Sequence, residues 1–249
     1  MTDVLESIPG PDFDYAALAP ILIVLGAALV SVVLEALLPR QKRRNAQLAV
    51  VVIALAVALV LVFALAGTNI TTARGALAID SPGLFLQGAT LLLALLAAFV
   101  MFEREADPAG DAFAPRASAL PGSTEERDFA AEGYLQTEIW PLFLFCVGGM
   151  LTFVVSNDLL TMFVALEVMS LPLYLLVAMS RRRRLLSQEA SLKYFLLGAF
   201  GSAFFLYGSA MTYGFAGTLG FGGIASKMTA LAGPNGLLIT GIGLLAVGL

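Results

Sequence analysis

The sequence has no histidine, a single cysteine and few charged residues. Without histidine it cannot form a histidine-ligated zinc or haem site, and one cysteine, Cys146, allows neither an internal disulfide nor a cysteine cluster. Charged residues make up only 13% of the 249 residues, whereas 59% are hydrophobic and the mean hydropathy is +0.90. About a quarter of the residues in a typical soluble domain are charged. The composition therefore predicts a membrane protein, and we assign no metal-binding and no cofactor-binding residue to this chain.

Nucleotide and nucleic-acid binding also lack support. No glycine-rich phosphate loop follows a predicted strand. The basic residues stand mainly in two short runs beside apolar segments, and this arrangement does not form the broad basic face that nucleic-acid binding requires. The bilayer and other membrane proteins are the partners that this composition predicts.

Apolar segments of transmembrane length recur along the chain. A membrane-spanning helix needs about 20 predominantly apolar residues, and six segments approach or exceed that length. A seventh begins near residue 236 and is still apolar at Leu249, so we expect the sequence to be part of a longer chain. The predicted fold is an all-α, polytopic transmembrane helix bundle with spans at 16–38, 46–66, 84–101, 139–155, 159–179 and 192–213, and a partial span at 236–249.

Basic residues are unevenly divided between the two sides that these spans define. Only Arg74 and Lys227 fall on one side, and Lys193 lies near the start of the sixth span. Lys and Arg mark the cytoplasmic side, so we expect an outside N-terminus and a cytoplasmic acidic loop at 103–138. Anionic-lipid recognition is an alternative role for the basic runs. The eleven basic residues on the predicted cytoplasmic side are Arg40, Lys42, Arg43, Arg44, Arg104, Arg116, Arg127, Arg181, Arg182, Arg183 and Arg184.

Glu167 lies near the middle of the fifth predicted span. A charged residue at the bilayer centre costs about 2.5–3.5 kcal/mol on the insertion scale, so such a residue is a functional candidate by default. Ser170 and Tyr174 follow at i+3 and i+7 and share its helical face. Pro172 cannot donate to the carbonyl of Val168, which predicts a kink or a local opening of the helix. The alternative is a protonated Glu167 that only hydrogen-bonds to a neighbouring helix.

Lys193 is the second candidate, near the inner end of the sixth span. Glu189 precedes it by four residues, the favourable orientation for a helical ion pair, so a structural pair at the helix entrance is an equal alternative. Glu35 near Arg40 is interpreted as an anchor that reaches the membrane surface. Asp158 is interpreted as the N-terminal cap of the fifth span. Gly198, Gly201, Ser202 and Gly208 are interpreted as small residues for helix packing.

Two stretches carry a resemblance to a known family. SNDLLTMFVALEVMSLPLYLLVA (156–178) and EASLKYFLLGAFGSAFFLYGSAMTYGFAGTLGF (189–221) resemble the subunit N family of bacterial NADH-quinone oxidoreductase, respiratory complex I. The family typically shows an L-E-x-x-S-L-P-x-Y-like run followed by E-A-x-x-K-Y-F. AIDSPGLFLQG (78–88) matches more loosely. The clear resemblance covers about a quarter of the chain, and the family gives no role for the loop 103–138.

The resemblance implies an antiporter-like fold of two inverted five-helix repeats, of which only the N-terminal part is present. It implies that Glu167 pairs with a lysine of the seventh span, beyond Leu249, and that Lys193 is a secondary member of the proton pathway. The residues assigned as supporting Glu167 and Lys193 are Ser170, Pro172, Tyr174 and Glu189. Membrane location in the bacterial inner membrane and assembly with other complex I membrane subunits are implied as well.

The predicted function is proton translocation coupled to NADH oxidation and quinone reduction. The resemblance implies that NADH, FMN, iron–sulfur clusters and quinone bind to other subunits, with no redox site in this chain. One alternative is a subunit of a multisubunit sodium/proton antiporter, which would not co-purify with NADH dehydrogenase activity. A second is a structural membrane subunit that pumps nothing, against which the buried Glu167 argues.

Overall fold

The computed structural model describes residues 13–103, 113, 123–124, 128, 137–180, 184–230, 233 and 235–249. The predicted loop 103–138 lies almost entirely outside the described residues. In the described parts, a β-hairpin of β1 (Ile70–Thr72) and β2 (Leu77–Ile79) accompanies eight helices. The helices are α1 (Tyr15–Leu37), α2 (Arg40–Ala64), α3 (Ser81–Phe102), α4 (Ile139–Phe153), α5 (Leu159–Ala178), α6 (Arg184–Ala216), α7 (Phe221–Thr229) and α8 (Gly236–Gly248).

Five of these helices are long and apolar enough to cross a membrane: α1, α2, α3, α5 and α6. The chain is therefore a multi-pass membrane protein, and the predicted all-α transmembrane bundle is confirmed. Helices α4 and α8 are apolar but shorter, at 15 and 13 residues. At 1.5 Å per residue, α4 is about 22 Å long, so the segment predicted as a complete span at 139–155 holds a helix shorter than a perpendicular crossing needs. Helix α6 has 33 residues and begins eight residues before the predicted span 192–213.

The main apolar core lies between α1, α2, α3 and α4. Each helix contributes a fully buried aliphatic side chain at its centre, namely Val24, Leu55, Leu91 and Leu144. Gln87 of α3 is also fully buried, and its Nε2 donates to the carbonyl of Leu151 at 3.0 Å. A buried amide needs such a partner, so Gln87 links α3 to α4.

Glycines let the remaining helices approach to backbone contact. A Cβ built on Gly149 of α4 would lie 2.5 Å from the backbone nitrogen of Met169, so α4 and α5 touch there. A Cβ built on Gly208 of α6 would lie 2.7 Å from the backbone nitrogen of Leu245 on α8. A Cβ built on Gly248 of α8 would overlap the backbone nitrogen of Phe205 on α6. Small residues permit this close packing in membranes. The predicted packing role of Gly208 is confirmed.

One end of the bundle is organised by the turn between α4 and α5. Asp158 accepts from the backbone nitrogens of Leu160 and Thr161 at 2.8 Å, so the predicted cap of the fifth span is confirmed. The neighbouring Asn157 donates through Nδ2 to the carbonyl of Gly75 at 2.8 Å, and its own carbonyl accepts from the nitrogen of Phe221 at 3.1 Å. This turn therefore joins the β-hairpin to the start of α7, two elements that the sequence analysis did not predict.

The first basic run, residues 40–44, lies at the opposite end of the bundle. Arg43 Nε donates to the carbonyl of Leu38 at 2.7 Å, and Arg44 donates to the carbonyl of Phe102 at 3.1 Å. The Arg44 guanidinium also stands 4.0 Å from the centre of the Phe102 ring. The end of α1, the start of α2 and the end of α3 therefore meet at one end of the bundle.

Candidate functional site

Glu167 lies at the interface between α5 and α6. Its side chain is half-buried, and its Oε1 accepts a hydrogen bond from the hydroxyl of Ser202 on α6. Helix α5 begins at the Asp158 cap and runs unbroken from Leu159 to Ala178, which sets Glu167 near its middle. The carboxylate is directed to a neighbouring helix. This orientation agrees both with a proton-pathway residue and with the alternative of a residue that only hydrogen-bonds to that helix. Ser202, which the sequence analysis assigned to packing, is the residue that contacts it.

The other members of the predicted polar face occupy the same helix. Ser170 is buried, and its hydroxyl lies 3.5 Å from the carbonyl oxygen of Glu167, at the outer limit for a hydrogen bond. Tyr174 is also buried and faces α6. Pro172 is buried inside α5, which runs through it as one continuous helix. The face defined by Glu167 and Tyr174 therefore packs against α6.

Tyr174 fills the space between α5 and the first half of α6. Its ring meets those of Tyr194 and Phe195 edge-on, with centroid distances of 4.6 and 5.6 Å. Its backbone carbonyl accepts a hydrogen bond of 2.7 Å from the hydroxyl of Ser191. Its hydroxyl lies against Gly198, one helical turn before Ser202. Aromatic packing and local hydrogen bonds thus occupy the interface between Glu167 and the start of α6.

Lys193 is separated from Glu167 along the axis of α6. Ser202 follows Lys193 by nine positions, a rise of about 13 Å. The Lys193 ammonium forms an ion pair of 2.5 Å with Glu189, and the two side chains are 69% and 57% exposed. The structure brings Lys193 together with Glu189, as the i,i+4 spacing predicted, and does not bring either of them to Glu167.

A polar network that the sequence analysis missed surrounds Glu35. Its carboxylate pairs with Arg43 at 2.9 Å, accepts from Gln47 Nε2 at 3.1 Å and accepts from the Thr137 hydroxyl at 2.7 Å. Gln47 and Ser31 are fully buried and bonded to each other. Glu35 thus belongs to a network with Arg43, Gln47 and Thr137, which the interpretation as a surface anchor near Arg40 did not include. The signal in the sequence was the i,i+4 spacing of Ser31 and Glu35, which places both on one face of α1.

A cleft of about 690 Å³ opens beside this network, with α1, α2, α4, α5 and α6 contributing to its walls. Glu35 and Arg43 lie at its polar side, while Phe145 and Leu175 belong to its apolar wall. Met179 at the end of α5 and Gln188 near the start of α6 also line it. The end of α5 and the beginning of α6 therefore lie at the same end of the bundle as the first basic run.

The chemistry that Glu167 can perform is proton exchange. A carboxylate accepts a proton, and a hydroxyl can donate to the ionised form or accept from the protonated form. No group of three or more His, Cys, Asp or Glu side chains that could hold a metal occurs among the described residues. The site thus comprises one titratable group held by a neutral partner inside an apolar bundle.

Helix α8 passes close to this pair. A Cβ built on Gly201 would lie 3.4 Å from the carbonyl oxygen of Gly248, and one on Gly248 would lie 2.7 Å from the carbonyl oxygen of Gly201. Gly201 immediately precedes Ser202. The last turn of α8 therefore lies at the level of the Glu167–Ser202 contact.

Known proteins share this arrangement of sequence and fold. Residues 156–249 match the family described as NADH:quinone oxidoreductase/Mrp antiporter, TM. NADH-quinone oxidoreductase subunit N of Mycobacteroides abscessus is 50% identical over an alignment that covers 100% of this chain and 48% of the relative. Subunit N of Rhodococcus opacus is 49% identical over 98% of this chain and 48% of the relative. The chain is a homologue of NADH-quinone oxidoreductase subunit N. It spans about half the length of the curated relatives it matches.

Solved structures agree with this homology. A chain of respiratory complex I from Thermus thermophilus matches with a TM-score of 0.67 and 29% identity, covering 92% of this chain and 42% of that one. A chain of the Mrp complex from Dietzia matches with a TM-score of 0.66 and 22% identity, covering 95% of this chain and 40% of that one, and this likeness concerns the fold. The predicted antiporter-like fold and the predicted family resemblance are both confirmed.

Proposed function

We propose that this chain is part of the proton-translocating membrane subunit of an NADH:quinone oxidoreductase. The observation that carries the proposal is the half-buried Glu167 carboxylate, held by Ser202 at the α5–α6 interface of a chain homologous to subunit N. A carboxylate at this depth costs insertion energy, and the bundle gives it a polar partner. Membrane proteins keep ionisable residues inside a bundle chiefly where ions or protons move.

The mechanism follows from electrostatics. The family resemblance implies a lysine in the span to which α8 belongs, beyond Leu249. Gly248 packs on Gly201, so the last turn of α8 reaches the level of Glu167. A buried lysine whose charge is stabilised by a nearby carboxylate binds its proton more tightly than a lysine alone. Separation of the two charges weakens that affinity and releases the proton. Glu167 acts as the partner that sets the affinity.

Lys193 takes a secondary role in this proposal. It lies about 13 Å along α6 from Ser202, in an exposed pair with Glu189. Such a pair at the arginine-rich end of the bundle can exchange protons with the aqueous phase. The equal alternative is a structural ion pair at the helix entrance.

The redox chemistry belongs to other subunits in this proposal. NADH, FMN, iron–sulfur clusters and quinone bind elsewhere in the assembly, and this chain contributes the membrane part. Its partners are the other membrane subunits of the complex, including neighbouring antiporter-like subunits, and the surrounding lipid. The location is the bacterial inner membrane, with the N-terminus outside and the arginine runs in the cytoplasm.

A second candidate is a subunit of a multisubunit sodium/proton antiporter. The matched family includes Mrp antiporters, and the Mrp complex from Dietzia has a similar fold. The roughly 50% identity to relatives named subunit N favours the oxidoreductase. Purification of the complete protein from its native membrane separates the two candidates. NADH dehydrogenase activity that co-purifies with the chain supports the oxidoreductase, and sodium-dependent proton exchange without that activity supports the antiporter.

The direct test replaces Glu167 with alanine in the complete subunit within its assembled complex. Proton pumping should fall, and NADH oxidation linked to quinone should fall with it. Electron transfer to an artificial acceptor at the peripheral arm should continue, because those sites lie outside this subunit. Wild-type pumping in an assembled Glu167→Ala complex would contradict the proposed role.

A further inference from the structure

Ser202 is half-buried on α6, and it differs from the buried hydroxyl residues of that helix in the partner it takes. Ser209 and Thr212 lie on the same helix, and each donates to the carbonyl four residues earlier, at 2.9 Å. This local bond is the usual outcome for a hydroxyl inside a membrane helix. The Ser202 hydroxyl instead crosses to α5 and donates to Glu167 Oε1. A contact between two helices holds the carboxylate in one orientation, which a bond within α6 cannot do.

We propose that Ser202 is a positioning residue for proton transfer, because it holds the Glu167 carboxylate against α6 in both of its protonation states. This inference rests on the proposed function. An ionised carboxylate only accepts hydrogen bonds, whereas a protonated one also donates, and a serine hydroxyl has one donor and two acceptor positions. Rotation of the hydroxyl therefore maintains the contact when Glu167 gains or loses a proton. A donor-only side chain could still donate to the protonated carboxyl group but could not accept a hydrogen bond from it.

Ser202 lies on α6 between two close contacts of that helix with its neighbours. Its neighbour Gly201 packs against Gly248 at the end of α8. Ser202 therefore holds the carboxylate on the α5 side of α6, at the level where α8 packs on α6. One turn away, Gly198 accommodates the Tyr174 hydroxyl and leaves no room for a larger side chain. The Glu167–Ser202 hydrogen bond and the contact of Tyr174 with Gly198 thus join α5 to α6 at two levels about one helical turn of α6 apart.

The chain offers a matched control. Ser209 is buried on α6, and its hydroxyl bonds only within its own helix. Ser209→Ala removes the same hydroxyl from the same helix as Ser202→Ala, without touching Glu167. Ser202→Thr keeps the hydroxyl, and Ser202→Cys keeps the size with a weaker donor.

The experiment measures protons pumped per electron by the assembled complex in membrane vesicles, a ratio that does not depend on the amount of complex. Ser202→Ala should lower this ratio toward that of Glu167→Ala, because the carboxylate loses the hydrogen bond that positions it. Ser202→Thr should restore it, Ser202→Cys should fall between the two, and Ser209→Ala should match the wild type. Ser202→Ala added to Glu167→Ala should cause no further loss.

The outcomes separate this inference from the proposed function. If Glu167→Ala pumps normally, the proposed function fails and this inference fails with it. If Glu167→Ala loses pumping while Ser202→Ala behaves like Ser209→Ala, the proposed function stands and the role of Ser202 is refuted. Should Ser202→Ala not assemble, Ser202→Cys provides the same comparison, and an assembled Ser202→Cys complex with a wild-type ratio would overturn the inference.

Discussion

The hydroxyl of Tyr174 lies over Gly198, so close that a Cβ built on Gly198 would overlap it. This contact brings α5 and α6 together between the Glu167–Ser202 pair and the aromatic cluster at the start of α6. Tyrosine supplies the contact area and glycine supplies the space. Beside the candidate site, α5 and α6 are thus held together by packing as well as by hydrogen bonding.

Gly198→Ala should destabilise the protein by about 1–3 kcal/mol, because an added methyl group in a packed interface forces the buried Tyr174 to move. Gly214→Ala on the same helix is the control, since nothing lies within 4 Å of a Cβ built at that position. Alanine normally stabilises a helix relative to glycine by up to about 1 kcal/mol. Thermal unfolding of the purified complex in detergent compares the two variants. Equal unfolding temperatures would contradict the described contact.

Gly248→Ala should disturb the packing of α8 on α6, because its Cβ would overlap the backbone nitrogen of Phe205. Backbone atoms cannot move aside as a flexible side chain can. Gly243→Ala is the matched control on α8, with nothing within 4 Å. The yield of assembled complex from membranes measures the difference, and we expect a reduced yield for Gly248→Ala only. A loss of the same size in Gly243→Ala would indicate that helix propensity, and not packing, determines the result.

Glu35→Ala should destabilise the protein by about 1–3 kcal/mol, since it leaves the Arg43 guanidinium and two further donors without their acceptor. The side chains of Glu35 and Arg43 are only 16% and 24% exposed, so water replaces the lost partner poorly. Glu189→Ala breaks the exposed pair with Lys193 and should leave the unfolding temperature unchanged. If the two variants unfold at the same temperature, the Glu35 network contributes no stability.

Cysteine labelling tests the predicted orientation in the membrane. Lys42 and Thr71 are exposed and lie at opposite ends of the bundle, and the one native cysteine, Cys146, is buried. An impermeant thiol reagent added to intact cells should label Thr71→Cys and spare Lys42→Cys, because basic runs remain in the cytoplasm. Inside-out vesicles should give the reverse pattern. Labelling of Lys42→Cys from outside would show that the orientation is inverted.

The helices could be predicted because membrane spans leave a continuous apolar signal in the sequence. The cap at Asp158 and the pair of Glu189 with Lys193 could be predicted because both depend on short sequence spacings. The β-hairpin at Ile70–Ile79 and helix α7 could not, since their segments are short and carry weak periodicity. Their position is set by the turn at Asn157, whose partners are distant in sequence.

Of the two residues that form the candidate site, the sequence allowed only Glu167 to be predicted. Glu167 is conspicuous as a charge inside an apolar span, but Ser202 is indistinguishable in sequence from a packing residue. Its contact with Glu167 emerges only when α5 and α6 are placed side by side. The Glu35 network was missed because Thr137 and Gln47 join it from separate parts of the chain.

The most direct measurement concerns the proton stoichiometry of Glu167 variants in the complete subunit within its complex. Glu167→Ala should reduce the protons pumped per electron, because the charge that stabilises a buried ammonium is gone. Glu167→Asp should be milder, since the charge stays and only the reach to Ser202 shortens. Electron transfer to an artificial acceptor should remain at the wild-type rate in both. An assembled Glu167→Ala complex that pumps with wild-type stoichiometry and coupled turnover would contradict the account, and Glu167 would then be a structural residue that hydrogen-bonds to α6.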